Sequence, residues 1–134
     1  MKSNTIKQAI FGAVALSAFL FSSFAIAQTG TSRQQLQEHD LSVPGREVVQ
    51  SIVTIAEGGS FPRHKHPGEE IIYVLQGVLE YQVEGQPATT LKAGDVLFVP
   101  AETVHSVKNV GKGDAKELAT YVVKKGVPML TLDK

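Results

Sequence analysis

Gly58 to Gly77 reads GGSFPRHKHPGEEIIYVLQG, and Gly94 to Asn109 reads GDVLFVPAETVHSVKN. Side chains of an extended segment alternate between two faces, so His64 and His66 share one face while Arg63 and Lys65 point away from it. Pro67-Gly68 turns the chain, and Glu70 opens an apolar run in which Ile72 and Val74 continue the inward face. A hairpin at that turn can set the Glu70 carboxylate opposite the two imidazoles. His105 lies on a later strand-like segment, Thr103 to Val107, which antiparallel pairing can bring against the first cluster. Three imidazoles and one carboxylate suit one divalent transition metal ion, Fe(II), Mn(II), Ni(II), Cu(II) or Zn(II). Without sulfur, a structural zinc site of the finger kind is disfavoured. Taken singly, an H-x-H pair or a lone Glu is more often a solvated surface feature; it is the joint spacing that argues for a site.

The surrounding sequence is written in β-strands. Val48 to Ile55, Glu70 to Leu75, Val78 to Val83, Val96 to Val99, Thr103 to Val107 and Leu118 to Val123 are short runs rich in β-branched residues. Turn signals bound them: Gly58-Gly59, Pro67-Gly68, Gln76-Gly77, Glu84-Gly85, Ala93-Gly94-Asp95, Pro100 and Gly111-Lys112-Gly113-Asp114. Short strands with no long intervening helix argue against a parallel βαβ sheet and for an all-β fold, a small antiparallel barrel. Only Arg33 to Asp40, with Thr31 or Ser32 as cap, is expected to form a short helix, ended by Ser42-Val43-Pro44-Gly45.

Of 134 residues, 43% are hydrophobic and 19% charged, enough for one modest core and no second catalytic domain. Lys+Arg and Asp+Glu both number 13, so no basic excess draws the chain to nucleic acid or to an anionic membrane. With no Cys, disulfides, thiolate metal sites, Cys nucleophiles and an acylated N-terminal Cys are all excluded.

The chain starts with an export pattern. Lys2 and Lys7 precede an almost wholly apolar run from Ala9 to Phe24, and Ala25-Ile26-Ala27 has the small-x-small form of a signal-peptidase site. The run is long enough to raise the alternative of a retained membrane anchor. Gly12, Ser17, Ser22 and Ser23 dilute it, however, and no cytoplasmic-type basic cluster follows, so cleavage before Gln28 is the favoured reading. The expectation is a periplasmic or secreted protein with no stable membrane contact after cleavage. The segments are then a signal peptide at 1–27, an N-terminal extension at 28–46, a barrel at 47–124 and a tail at 125–134. Losing Lys2 and Lys7 leaves 11 basic against 13 acidic groups, a balance of about −2.

The two stretches resemble the paired motifs of the cupin family: Gly58, His64, His66, Glu70 and Gly77 in the first, Gly94, Pro100, His105 and Asn109 in the second. The resemblance runs roughly from Val48 to Val123. It implies a jelly-roll type, double-stranded β-helix barrel, a metal held by His64, His66, Glu70 and His105 near the open mouth, and a homodimer. One position departs from the pattern: two residues after Pro100, where the family usually has Gly, stands Glu102, which puts the local turn geometry in question. Cupins with this ligand set include dioxygenases, decarboxylases and isomerases, so the resemblance implies a mononuclear metal-dependent enzyme acting on a small organic molecule. The alternative is a non-catalytic barrel that binds a small ligand or a metal.

Glu70 and Glu102 are the candidate catalytic acids, Glu102 as general base or lid residue, though a solvated turn acid is the preferred reading of it. Phe61, Phe98 and Glu102 are candidates for the pocket rim. Tyr73 and Tyr81 read as core or interface residues, and His39, between Glu38 and Asp40, as an idle surface histidine.

Overall fold

The computed structural model describes residues 30–134; the export segment, at 1–27, lies outside the described residues. Ten strands follow one another: β1 (Thr31–Asp40), β2 (Arg46–Ile55), β3 (Ser60–Lys65), β4 (Gly68–Gln76), β5 (Val78–Val83), β6 (Thr89–Lys92), β7 (Val96–Val99), β8 (His105–Asn109), β9 (Ala115–Lys124) and β10 (Thr131–Leu132). They form two five-stranded sheets, ordered β1-β2-β9-β4-β7 and β10-β3-β8-β5-β6, and every pairing is antiparallel. The fold is all-β, a jelly-roll type double-stranded β-helix.

Alternation explains which face each strand buries. On β4, Ile72 and Val74 are fully buried while Ile71, Tyr73 and Leu75 face outward. Along β5, Leu79, Tyr81 and Val83 turn in. Together with Ile55, Leu91, Val99, Val107 and Ala115 they fill the space between the sheets, and removing this apolar surface from water is what drives the two layers together. A second cluster, Val49, Ala119, Tyr121 and Val123, continues the core toward one end.

The 33–40 segment is not a helix: it is part of β1, paired with β2 from Thr31↔Ile55 to Asp40↔Glu47 with an irregularity between Gln35 and Gln37. Leu36 is its only large apolar residue, so a helix of this length would have had little to bury and would be marginal in water. The free edge of β2 instead pairs with nearly the whole segment and takes up the backbone groups that face it.

Three residues of the two quoted stretches have clear structural work. At Gly77 the backbone takes φ 80°, and a Cβ would stand 2.8 Å from Ala115 Cα, so the turn between β4 and β5 admits only glycine. Gly68 lets β4 press against β9, since a Cβ there would lie 2.1 Å from the Val122 carbonyl oxygen. Asn109 is buried; its Nδ2 donates to the carbonyls of Ile55 (2.9 Å), Ala56 (3.2 Å) and Gly113 (2.8 Å), and its Oδ1 accepts from the Gly111 N–H at 3.0 Å. That fully satisfied amide ties the end of β8 to the end of β2.

Candidate metal centre

β3 carries His64, the link after it carries His66, β4 carries Glu70, and β8 begins at His105. His64 and His105 are direct cross-strand partners, while Glu70 reaches in from the opposite sheet, paired with Tyr121 on β9. A bulge in β3 between Phe61 and His64 turns both of these residues inward although they are three apart, and Pro62, which cannot donate to a ladder, sits in it. Arg63 and Lys65 face away as alternation requires: Arg63 pairs with Asp133 and Glu84, Lys65 with Glu102.

All four site residues are buried, and one ligand atom from each lies within 4.8 Å of the others. Each ring is oriented by its far nitrogen. Nδ1 of His64 lies 2.8 Å from the Pro62 carbonyl, Nδ1 of His66 2.6 Å from that of Met129, and Nδ1 of His105 2.9 Å from that of Thr103. A carbonyl can only accept, so Nδ1 carries the proton and each neutral ring presents an Nε2 lone pair. His105 Nε2 stands 2.9 Å from Glu70 Oε2 and His66 Nε2 stands 3.5 Å from it. These three atoms are buried without a hydrogen-bond partner.

Acceptors that close together need a positive charge between them. Burial by itself raises the Glu70 carboxyl, but the neighbouring His105 and His66 outweigh it and bring it down to about 2. Burial pushes His64 the other way, down to about 4, and the neighbouring His105 adds to this. A proton can relieve one pair of acceptors, whereas one divalent cation relieves all four at once. Three imidazole nitrogens and one carboxylate are the donor set of a transition metal, and backbone carbonyls behind the rings fix their tautomer as they do in metal sites. The cluster can hold such an ion.

Beside the cluster is a cavity of about 120 Å³ whose walls include Phe61, Tyr81, Val107, Glu117, Tyr121 and Leu130. Glu117 is 2% exposed, and its Oε2 accepts the Tyr81 hydroxyl at 2.6 Å. Burial and the charge of Glu70 push its carboxyl up to about 8, against the pull of Tyr81. The Tyr121 ring packs edge-on to His66, centroids 4.8 Å apart.

Glu102 is not brought to this cavity. It sits on an exposed turn, its carboxylate 2.8 Å from Lys65 Nζ, and its backbone N–H donates to the His66 carbonyl at 3.0 Å. Phe98 is not a rim residue either: it projects from the outer face of β7, 56% exposed. Phe61 does line the cavity. Tyr81 is a core residue whose hydroxyl also reaches the site, and His39 is exposed. The acid that sequence reading missed is Glu117. Its signal is the row Ala115, Glu117, Ala119, Tyr121, Val123, five residues at period two that all turn inward on β9; a strand begun at Leu118 leaves Glu117 out.

The cupin domain model (Cupin_2) matches residues 51–128, more than half of the chain. The chain belongs to the cupin family. Among its relatives, it is 39% identical over 67 residues to the oxalate-binding protein of Thermotoga maritima, covering 49% of this chain and 54% of that protein. It is 37% identical over 57 residues to the dimethylsulfoniopropionate lyase DddQ of Ruegeria pomeroyi, covering 42% of this chain and 28% of the lyase. The chain thus spans less than two thirds of either relative. The crystal structure of that lyase superposes with a TM-score of 0.58 at 27% identity, over 63% of this chain and 42% of the lyase. A cupin-like protein from Thermotoga maritima superposes at 0.63 with 24% identity, over 77% and 75% of the two chains, a likeness of fold.

Proposed function

We propose that this cupin is an exported, mononuclear metal-dependent enzyme that acts on a small organic molecule, with the ion held by His64, His66, Glu70 and His105. The observation that carries an enzyme reading is Glu117, a buried carboxyl that the ligand cluster does not consume and that opens on the same cavity. Bound at the cluster, a divalent transition metal supplies Lewis-acid or redox chemistry to a substrate in the cavity. Glu117, whose carboxyl burial holds above the ordinary carboxylate range, is placed to hold a proton for transfer, and the Tyr81 hydroxyl fixes the orientation of its carboxyl group. Phe61, Val107 and Leu130 exclude water from that exchange.

The relatives support a small-molecule substrate: one is named a lyase and one an oxalate-binding protein. Reconstitution with each of Fe, Mn, Ni, Cu and Zn, followed by O₂ uptake and product analysis on a panel of small organic acids, tests the reading. The expected result is turnover that Glu117→Gln lowers by about 10²- to 10⁴-fold with metal content unchanged. Binding without turnover for every metal would replace this reading with the non-catalytic barrel, the alternative that the name of the oxalate-binding relative favours.

Export rests on the Lys2 to Ala27 pattern, with periplasm or extracellular space as destination; among the described residues no helix is long and apolar enough to cross a membrane. A homodimer is supported by an exposed apolar patch on the outer face, Ile71, Tyr73 and Leu75 of β4 beside Val96 and Phe98 of β7, in which Ile71↔Phe98 and Tyr73↔Val96 are cross-strand partners. Contiguous apolar surface of this kind marks association sites.

A further inference from the structure

Two pieces of chain outside the matched domain, residues 51–128, roof the metal cavity: the start of β1, with Thr31 and Arg33, and the segment Met129-Leu130. Among the described residues, Arg33 is the only arginine or lysine on the cavity wall. Its Nε donates to Ser51 Oγ at 2.9 Å, and its Nη2 reaches Met129 Sδ at 3.4 Å. Its Cζ stands 5.2 Å from the centre of the Tyr121 ring, the same ring that packs against His66. The Tyr121 ring therefore contacts both the guanidinium and a ligand imidazole.

These contacts aim the guanidinium without neutralising it. A hydroxyl and a thioether are neutral acceptors, the thioether a weak one, and among the described residues no carboxylate forms an ion pair with Arg33. The local charge is unbalanced as well. A divalent ion at the cluster would meet a single ligand carboxylate, Glu70, leaving one positive charge to which Arg33 adds another. The one other carboxyl on the wall, Glu117, is raised by burial and already engaged by Tyr81, so it does little to offset them.

We infer that Arg33 selects for a small organic anion, a carboxylate whose negative group pairs with the guanidinium while its other polar end faces the metal cluster. A cavity of about 120 Å³ is slightly smaller than the roughly 150 Å³ that accommodates benzene, so the ligand has at most about six non-hydrogen atoms. The inference rests on the metal-centre reading for the orientation of the ligand, whereas the charge selection is a property of Arg33.

Lactate and its neutral isostere lactamide test it, titrated calorimetrically into the purified wild type, Arg33→Gln and Arg33→Lys, with bound metal per chain measured on the same samples. The expected result is that wild type binds lactate at least about tenfold tighter than lactamide, that Arg33→Gln lowers this preference severalfold with metal content unchanged, and that Arg33→Lys restores part of it. An equal preference in wild type and Arg33→Gln, or no binding of lactate at all, would overturn the inference while leaving a measured metal in place. Wild type without metal would instead overturn the metal-centre reading; the same titrations on that protein then decide Arg33, its preference for lactate either lowered in Arg33→Gln, as inferred, or absent from the start.

Discussion

At Glu102 the backbone adopts φ 58°, the only non-glycine among the described residues with positive φ. This is the position where the cupin pattern usually has glycine, and the reason is steric: a Cβ in the left-handed region crowds the carbonyl that follows. Glu102→Gly is predicted to stabilise the fold by about 0.5–1 kcal/mol, because the exposed ion pair with Lys65 that it sacrifices contributes little. Urea unfolding midpoints measure this, and a lower midpoint in the variant would contradict it. Glu117 gives a second residue-level prediction. In the metal-free protein its carboxyl rises from the ordinary 4.5 to about 8, so the folded state keeps a proton that the unfolded chain releases. Stability therefore falls as pH climbs from 4.5 to about 8 and levels off above it. Unfolding midpoints at about pH 5 and about pH 8.5 are expected to differ less in metal-free Glu117→Gln than in metal-free wild type; an identical difference would show that Glu117 is not the group responsible.

Strand geometry is the scale at which the sequence was most and least informative. Ile71 to Leu75 are all apolar, so the face that buries Ile72 and Val74 is legible only by counting in twos from Glu70, whereas the turns at Gly77 and Pro100 are plain because they depend on local chemistry. β1 was misread as partly helical because its stability comes from pairing with β2 some fifteen residues on, which no local pattern reports. Glu117 was missed for a related reason, since a charged residue at a strand start looks like a boundary until the opposite sheet shows what it faces. β6 and β10 are only four and two residues long, too short for periodicity to declare them. Contact between strands also sets the next prediction. Gly68→Ala would drive a Cβ into the β9 backbone at Val122 and Val123, costing about 1–3 kcal/mol as the strands part. Because Glu70 is two residues further along β4, the same shift is expected to weaken metal binding; thermal melts with and without added metal report both effects, and an unshifted melt would contradict the close approach.

For the whole molecule, the outer apolar face of β4 and β7 predicts a dimer in sedimentation velocity, converted to monomer by the pair Tyr73→Lys and Phe98→Lys; a monomeric wild type would sink the dimer reading. The two sheets bring three imidazoles and a carboxylate from opposite layers around a single point. Bound metal stabilises only the folded state, so chelation is expected to lower the melting temperature of wild type and to leave the His64→Ala/His105→Ala variant unaffected. Most direct is elemental analysis of protein purified without chelator or affinity histidines, in wild type and in that double variant. The structure predicts about one divalent transition metal ion per wild-type chain and none in the variant. No metal in wild type, even after reconstitution with Fe, Mn, Ni, Cu and Zn in turn, would contradict the metal centre and with it the proposed chemistry.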